Sequence, residues 1–180
     1  MTMNYQGVTI PEAKGPFVQH FLYFFRREHE SLWNALREMT AEQMDWQPAK
    51  EAFSVASIVE HLIATERILL EADLLQQPID TSALPSAWHL WGRDKNARSG
   101  YPAAVYLADL EASCQRVLHF AAELDDTALH QMRRLWDGKR EQKVMERLQI
   151  LIGHLLYHHG QIVYITLLDG FPGSATTTEE

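Results

Sequence analysis

His154 and His158 are the residues of this chain whose type and spacing best suit chemistry. They lie in His154-Leu-Leu-Tyr-His158-His159-Gly160-Gln161, inside an apolar run from Leu148 to Leu168 that reads as a helix. Residues four apart share one helix face, about 6 Å apart along the axis. Two imidazoles so placed can grip one metal ion, as the two His of H-E-x-x-H enzymes do. Leu155 stands where that motif has its glutamate. From spacing alone, two core histidines bonded to their neighbours would fit as well. A metal site needs a third ligand and elements that present it.

Four long amphipathic segments are available to do so, and none reads as a strand. The first runs from about Pro16 to Met39, with Phe17, Phe21, Phe24, Phe25, Leu32, Trp33 and Leu36 near helical spacing. Thr40-Ala-Glu-Gln43 resembles a capping box for a short turn that Pro48 closes. The second helix starts at Ser54 or Ser57, both good N-cap types, and ends before Pro78. Residues 76–101 follow as a long irregular loop holding Trp88-His89-Leu90-Trp91. The third helix spans about Pro102 to Leu124, and the fourth about Glu141 to Asp169, with Gly170 as a C′ residue. Residues 174–180 read as a flexible tail. The expected fold is therefore all-α, a four-helix bundle forming one domain over 1–173 with a long loop between helices two and three.

Bundle cores commonly hold metal sites built from facing helices. On helix four, Leu151, His154, His158, Gln161 and Ile165 form one stripe whose apolar ends point it inward. On helix two, His61 lies beside Ile58 and Thr65, near the apolar face. An inward His61 opposite His154 and His158 makes a three-His site. Such a set suits Zn²⁺, and also Ni²⁺ or Fe²⁺. Gln161 is placed to orient an imidazole, or simply to pack; Glu66 to accept from a ligand His, or to be solvated. Trp88, His89 and Trp91 are candidates to wall a pocket over the ion, although bulky loop residues need burial in any case.

These stretches resemble the DinB/YfiT-like family. Its second helix commonly reads Ser-x-x-x-x-x-x-His-x-x-x-x-Glu, matched here by Ser54, His61 and Glu66. Its fourth carries His-x-x-x-His-Arg-Gly-Gln, matched by His154, His158, Gly160 and Gln161, with His159 in place of Arg. Trp46-x-Pro48 is also similar. The resemblance implies a four-helix bundle with a divalent metal on His61, His154 and His158. It does not imply one reaction, because the superfamily includes thiol-dependent S-transferases and an isomerase. A metal-dependent S-transferase or hydrolase acting on a small molecule, with a low-molecular-weight thiol as possible partner, is one expectation. A non-catalytic metal-binding stress-response or structural module is the other. No catalytic side chain is assigned.

Composition limits the rest. The chain has 180 residues, 46% of them hydrophobic, and a net charge of −8. That charge repels phosphate backbones, which disfavours nucleic acid as a partner. No apolar run reaches the ~18–20 residues of a membrane span. A single cysteine, Cys114, excludes an intrachain disulfide and suits a reducing cytoplasm; it reads as a small core residue. His20 and His29 fall on opposite sides of helix one and read as surface or boundary residues. His159 points away from His158, and Gly160 suggests a closely approaching helix. The Phe and Trp residues of helix one, from Phe17 to Trp33, exceed what one bundle face can use and predict a homodimer.

Overall fold

Aromatic and branched residues at helical spacing become the core of the protein. A computed structural model describes residues 7–50, 52–80, 82 and 99–173. Four long helices dominate it: α1 (Pro16–Leu36), α3 (Val55–Ile68), α4 (Ala104–Ala122) and α6 (Val144–Thr166). Two short ones, α2 (Ala41–Asp45) and α5 (Asp126–Leu129), sit in the connections. Each of α1 and α3 packs against both α4 and α6. Phe21, Leu22, Phe25, Leu32, Trp33 and Leu36 of α1 are all buried. Burying a side chain of this kind contributes about 1.5–3 kcal/mol.

Helix one therefore spends most of its aromatic residues inside the protein, with Tyr23 exposed. Of the residues that suggested a homodimer through Phe17–Trp33, Phe21, Phe25 and Trp33 are buried and Phe17 packs partly buried against the same core, while Phe24 is half-buried. His29 is also corrected, because it is fully buried rather than at the surface.

The ends of the helices follow local chemistry. Pro16 opens α1. Thr40 and Gln43 form the predicted capping box on α2. Ser54, rather than Ser57, caps α3, its side chain accepting from the Ser57 amide at 3.2 Å. Helix α3 is buried nearly all round at its start, from Val55 to Leu62, as a central helix must be. It continues as π-helix over Leu69–Leu74. That turn brings the carboxylate of Asp73 to the amide of Trp136 and the guanidinium of Arg147, inside the protein.

The segment before α6 departs from the all-helical expectation. Met132–Arg134 (β1) and Glu141–Lys143 (β2) form a two-stranded antiparallel hairpin, with Met132 opposite Lys143. Gly138, at φ +66°, makes its turn after Asp137. The hairpin moves the start of α6 from Glu141 to Val144, where Glu146 accepts from the Lys143 amide at 3.0 Å. Helix α6 ends at Thr166, so Gly170, at φ +85°, serves the following turn and not the helix cap. No described helix is long and apolar enough to cross a membrane.

Candidate metal centre

Helices α3 and α6 face each other, and three histidines meet between them. His61 Nε2 lies 3.0 Å from His154 Nε2, which lies 3.1 Å from His158 Nε2. One ligand atom from each of the three falls within 4.8 Å of the others. The i,i+4 pair of α6 and the inward histidine of α3 thus converge as expected from their spacing. His61 and His158 are buried, while His154 is partly exposed and marks the accessible side.

Hydrogen bonding orients the set. His158 Nδ1 lies 2.6 Å from Gln161 Oε1. An amide oxygen only accepts, so Nδ1 carries the proton and Nε2 keeps its lone pair for the shared point. Gln161 is held in turn, donating from Nε2 to the Tyr157 hydroxyl at 3.1 Å. The Tyr157 ring packs edge-on against His158, with centroids 4.9 Å apart. On α3, Thr65 Oγ1 approaches His61 Nε2 at 3.4 Å. Tyr157 and Thr65 escaped the sequence reading as site residues. Their signal is helical spacing, since each lies four residues from a partner, Gln161 and His61.

Electrostatics favour the neutral form of His154 and His158. Burial first, then the neighbouring His158 and His61, push His154 down to about 3. Burial also lowers His158, with the Gln161 bond opposing it. Neutral imidazole is the metal-binding form. The short contacts fit a cation better than hydrogen bonds alone. With His158 Nε2 unprotonated, one N–H on His154 can point at His158 or at His61, not at both. His61, His154 and His158 would each offer a lone pair to a divalent ion at the common point, so the donor set fits Zn²⁺, Ni²⁺ or Fe²⁺.

The other expected residues separate. Glu66 does not stay near the surface and is committed elsewhere. It is buried, with Oε1 2.8 Å from His29 Nε2 and Oε2 accepting from Ser113 Oγ at 2.6 Å. Its carboxylate is used to join α1, α3 and α4. His159 turns toward α1, its Nδ1 3.9 Å from Glu28 Oε2. Gly160 is exposed, and a Cβ there would meet nothing within 4 Å among the described residues, so no described helix explains the glycine. Cys114 is a buried core residue. Trp88, His89 and Trp91 lie outside the described residues.

Comparison with known proteins agrees with this geometry. The profile of the DinB superfamily matches residues 25–162, and the chain belongs to that superfamily. The match contains all three histidines. The chain is also similar in fold to a DinB-like protein of Bacillus cereus ATCC 10987 known from a crystal structure. The TM-score is 0.64 at 16% identity, covering 82% of this chain and 89% of that one. No curated protein matches the sequence.

Proposed function

We propose that this member of the DinB superfamily is a four-helix bundle that holds one divalent ion on the Nε2 atoms of His61, His154 and His158. In this reading it is a metal-dependent enzyme of the thiol S-transferase or hydrolase type, acting on a small molecule. The convergence of three Nε2 atoms from two facing helices carries the proposal. A three-His set leaves coordination positions open, and an ion there would lower the pKa of a bound water or thiol. The chain's own residues prepare that position. Gln161 presents the His158 lone pair, burial keeps His154 unprotonated, and the partial exposure of His154 leaves an approach for substrate.

Metal analysis of the purified protein, before and after incubation with Zn²⁺, Ni²⁺ or Fe²⁺, tests the ligand set. The wild type is expected to hold up to one equivalent. His61→Ala should hold far less while keeping its helical circular dichroism. Equal metal content in both proteins overturns the assignment. The loaded protein is then screened with pairs of low-molecular-weight thiols and electrophiles, and with hydrolysable esters and amides. Full metal occupancy without turnover would leave a non-catalytic metal-binding module as the function.

A further inference from the structure

Thr65 carries a hydroxyl beside the three imidazoles that the metal centre leaves unused. It lies four residues after His61 on α3, one turn along the same face. Its Oγ1 is 3.4 Å from His61 Nε2, one of the three atoms offered to the ion. Thr65 and His154 are half-buried, whereas His61 and His158 are buried. The hydroxyl therefore stands on the side of the set that solvent reaches. Among the described residues, the contact with His61 is its one hydrogen bond. No described carboxylate joins the three-His group, and the nearby Glu66 is turned to His29 and Ser113.

A hydroxyl has one proton to donate. In the free site it can give that proton to the lone pair of His61 Nε2. Once the lone pair is shared with an ion, the proton needs another acceptor. A neutral hydroxyl is not a usual protein ligand of Zn²⁺, so Oγ1 does not complete the ligand set itself. Two acceptors remain. One is the His61 carbonyl, a common partner of a helical Thr at i−4. The other is the group held at the ion's open position. Three neutral imidazoles leave the whole double charge on the ion, and that charge favours an anion there. An anion brings lone pairs that a hydroxyl can meet.

We infer that Thr65 is a ligand-positioning residue, whose hydroxyl donates a hydrogen bond to the anion held at the open position of the three-His centre. The anion is a thiolate sulfur or a hydroxide oxygen, and the thiol or water releases its proton to solvent as that atom joins the ion. The hydrogen bond fixes the anion at a second point, so that its remaining lone pair is aimed and not free to swing about the bond to the ion. This inference rests on the proposed metal centre and adds to it the residue that selects and orients the reacting ligand.

The full chain, stripped with a chelator and reloaded with Co²⁺, reports what binds the ion through its visible and near-ultraviolet absorption. Wild type, Thr65→Val and Thr65→Ser are each titrated with 2-mercaptoethanol, azide and imidazole. All three proteins should take up Co²⁺ with equal affinity and keep their helical circular dichroism. Thr65→Val should bind the anionic probes about tenfold more weakly, as expected for losing a hydrogen bond to a charged group. Thr65→Ser, which keeps the hydroxyl, should recover most of that loss. Imidazole gives its one free lone pair to the ion and should bind wild type and Thr65→Val alike. A loss with 2-mercaptoethanol assigns the thiolate, and a loss with azide alone assigns the hydroxide. Unchanged affinity for both anions, or an equal loss with imidazole, overturns the inference and gives the hydroxyl to the His61 carbonyl. Loaded wild type that binds neither anion overturns it too. So does weaker Co²⁺ uptake by Thr65→Val, which would make Oγ1 a ligand of the ion. Wild type that takes up no Co²⁺ overturns the metal centre itself, and this inference with it.

Discussion

Gln161 decides which nitrogen of His158 carries the proton, and Tyr157 decides which way the Gln161 amide points. The histidines themselves were legible in the sequence, because i,i+4 spacing and an inward position on a second helix are local facts. Their support was only half legible. Gln161 stood out through its spacing, whereas Tyr157 looked like any apolar-run residue until its hydroxyl acquired a partner. Outer partners of ligand histidines typically account for 10–100-fold in metal affinity. Gln161→Leu should therefore weaken metal binding by about that factor, while Gln161→Glu, which keeps an acceptor, should recover most of it. Competition against a chromophoric chelator measures both. Wild-type affinity in Gln161→Leu would remove the orienting role.

At the scale of elements, long-range partners settle what periodicity leaves open. The four long helices were legible because their apolar residues repeat every three or four positions over several turns. The hairpin was not, because its two strands, Met-Arg-Arg and Glu-Gln-Lys, show no apolar alternation. His29 and Glu66 were misplaced for a related reason. A charged or titratable residue on a helix looks solvated until its partner is known, and these two are 37 residues apart. Together with Ser113 they form a buried polar joint between α1, α3 and α4. Removing one member leaves buried groups unpaired, at about 1–3 kcal/mol each. Glu66→Leu should then lower the unfolding free energy by roughly 2–5 kcal/mol without changing metal stoichiometry. Replacing all three together, as His29→Phe, Glu66→Leu and Ser113→Ala, should restore much of the loss, because no polar partner is left stranded. Denaturant unfolding with metal analysis separates the outcomes. A Glu66→Leu protein that is fully stable but metal-free would move Glu66 into the metal site.

For the whole molecule, a depressed histidine pKa makes folding depend on pH in a definite direction. His154 sits at about 3 in the folded protein, against 6.5 for the free side chain. Below about pH 6.5 the unfolded chain therefore takes up a proton that the folded chain refuses. The unfolded state binds more protons, so stability rises with pH through this window and falls on acidification. The loss begins near 6.5, continues toward 3 and then levels off. His158, lowered in the same direction, adds to it. One such proton changes stability by up to about 1.4 kcal/mol per pH unit, which is roughly 3–5 °C of melting temperature for a domain of this size. Chelator-treated wild type should lose melting temperature more steeply from pH 6.5 to 5 than His154→Gln, which has no proton to refuse. Every other histidine is common to both proteins, so the difference between the two slopes isolates His154. A saturating divalent ion should raise the wild-type melting temperature at pH 7.5, and raise it less as the pH falls, because protons compete for the same nitrogens. The variant should gain little at any pH. Parallel slopes in the two metal-free proteins would show that His154 is protonated as readily in the folded chain as in the unfolded one. In that case the buried, neutral three-imidazole arrangement would not describe the protein in solution.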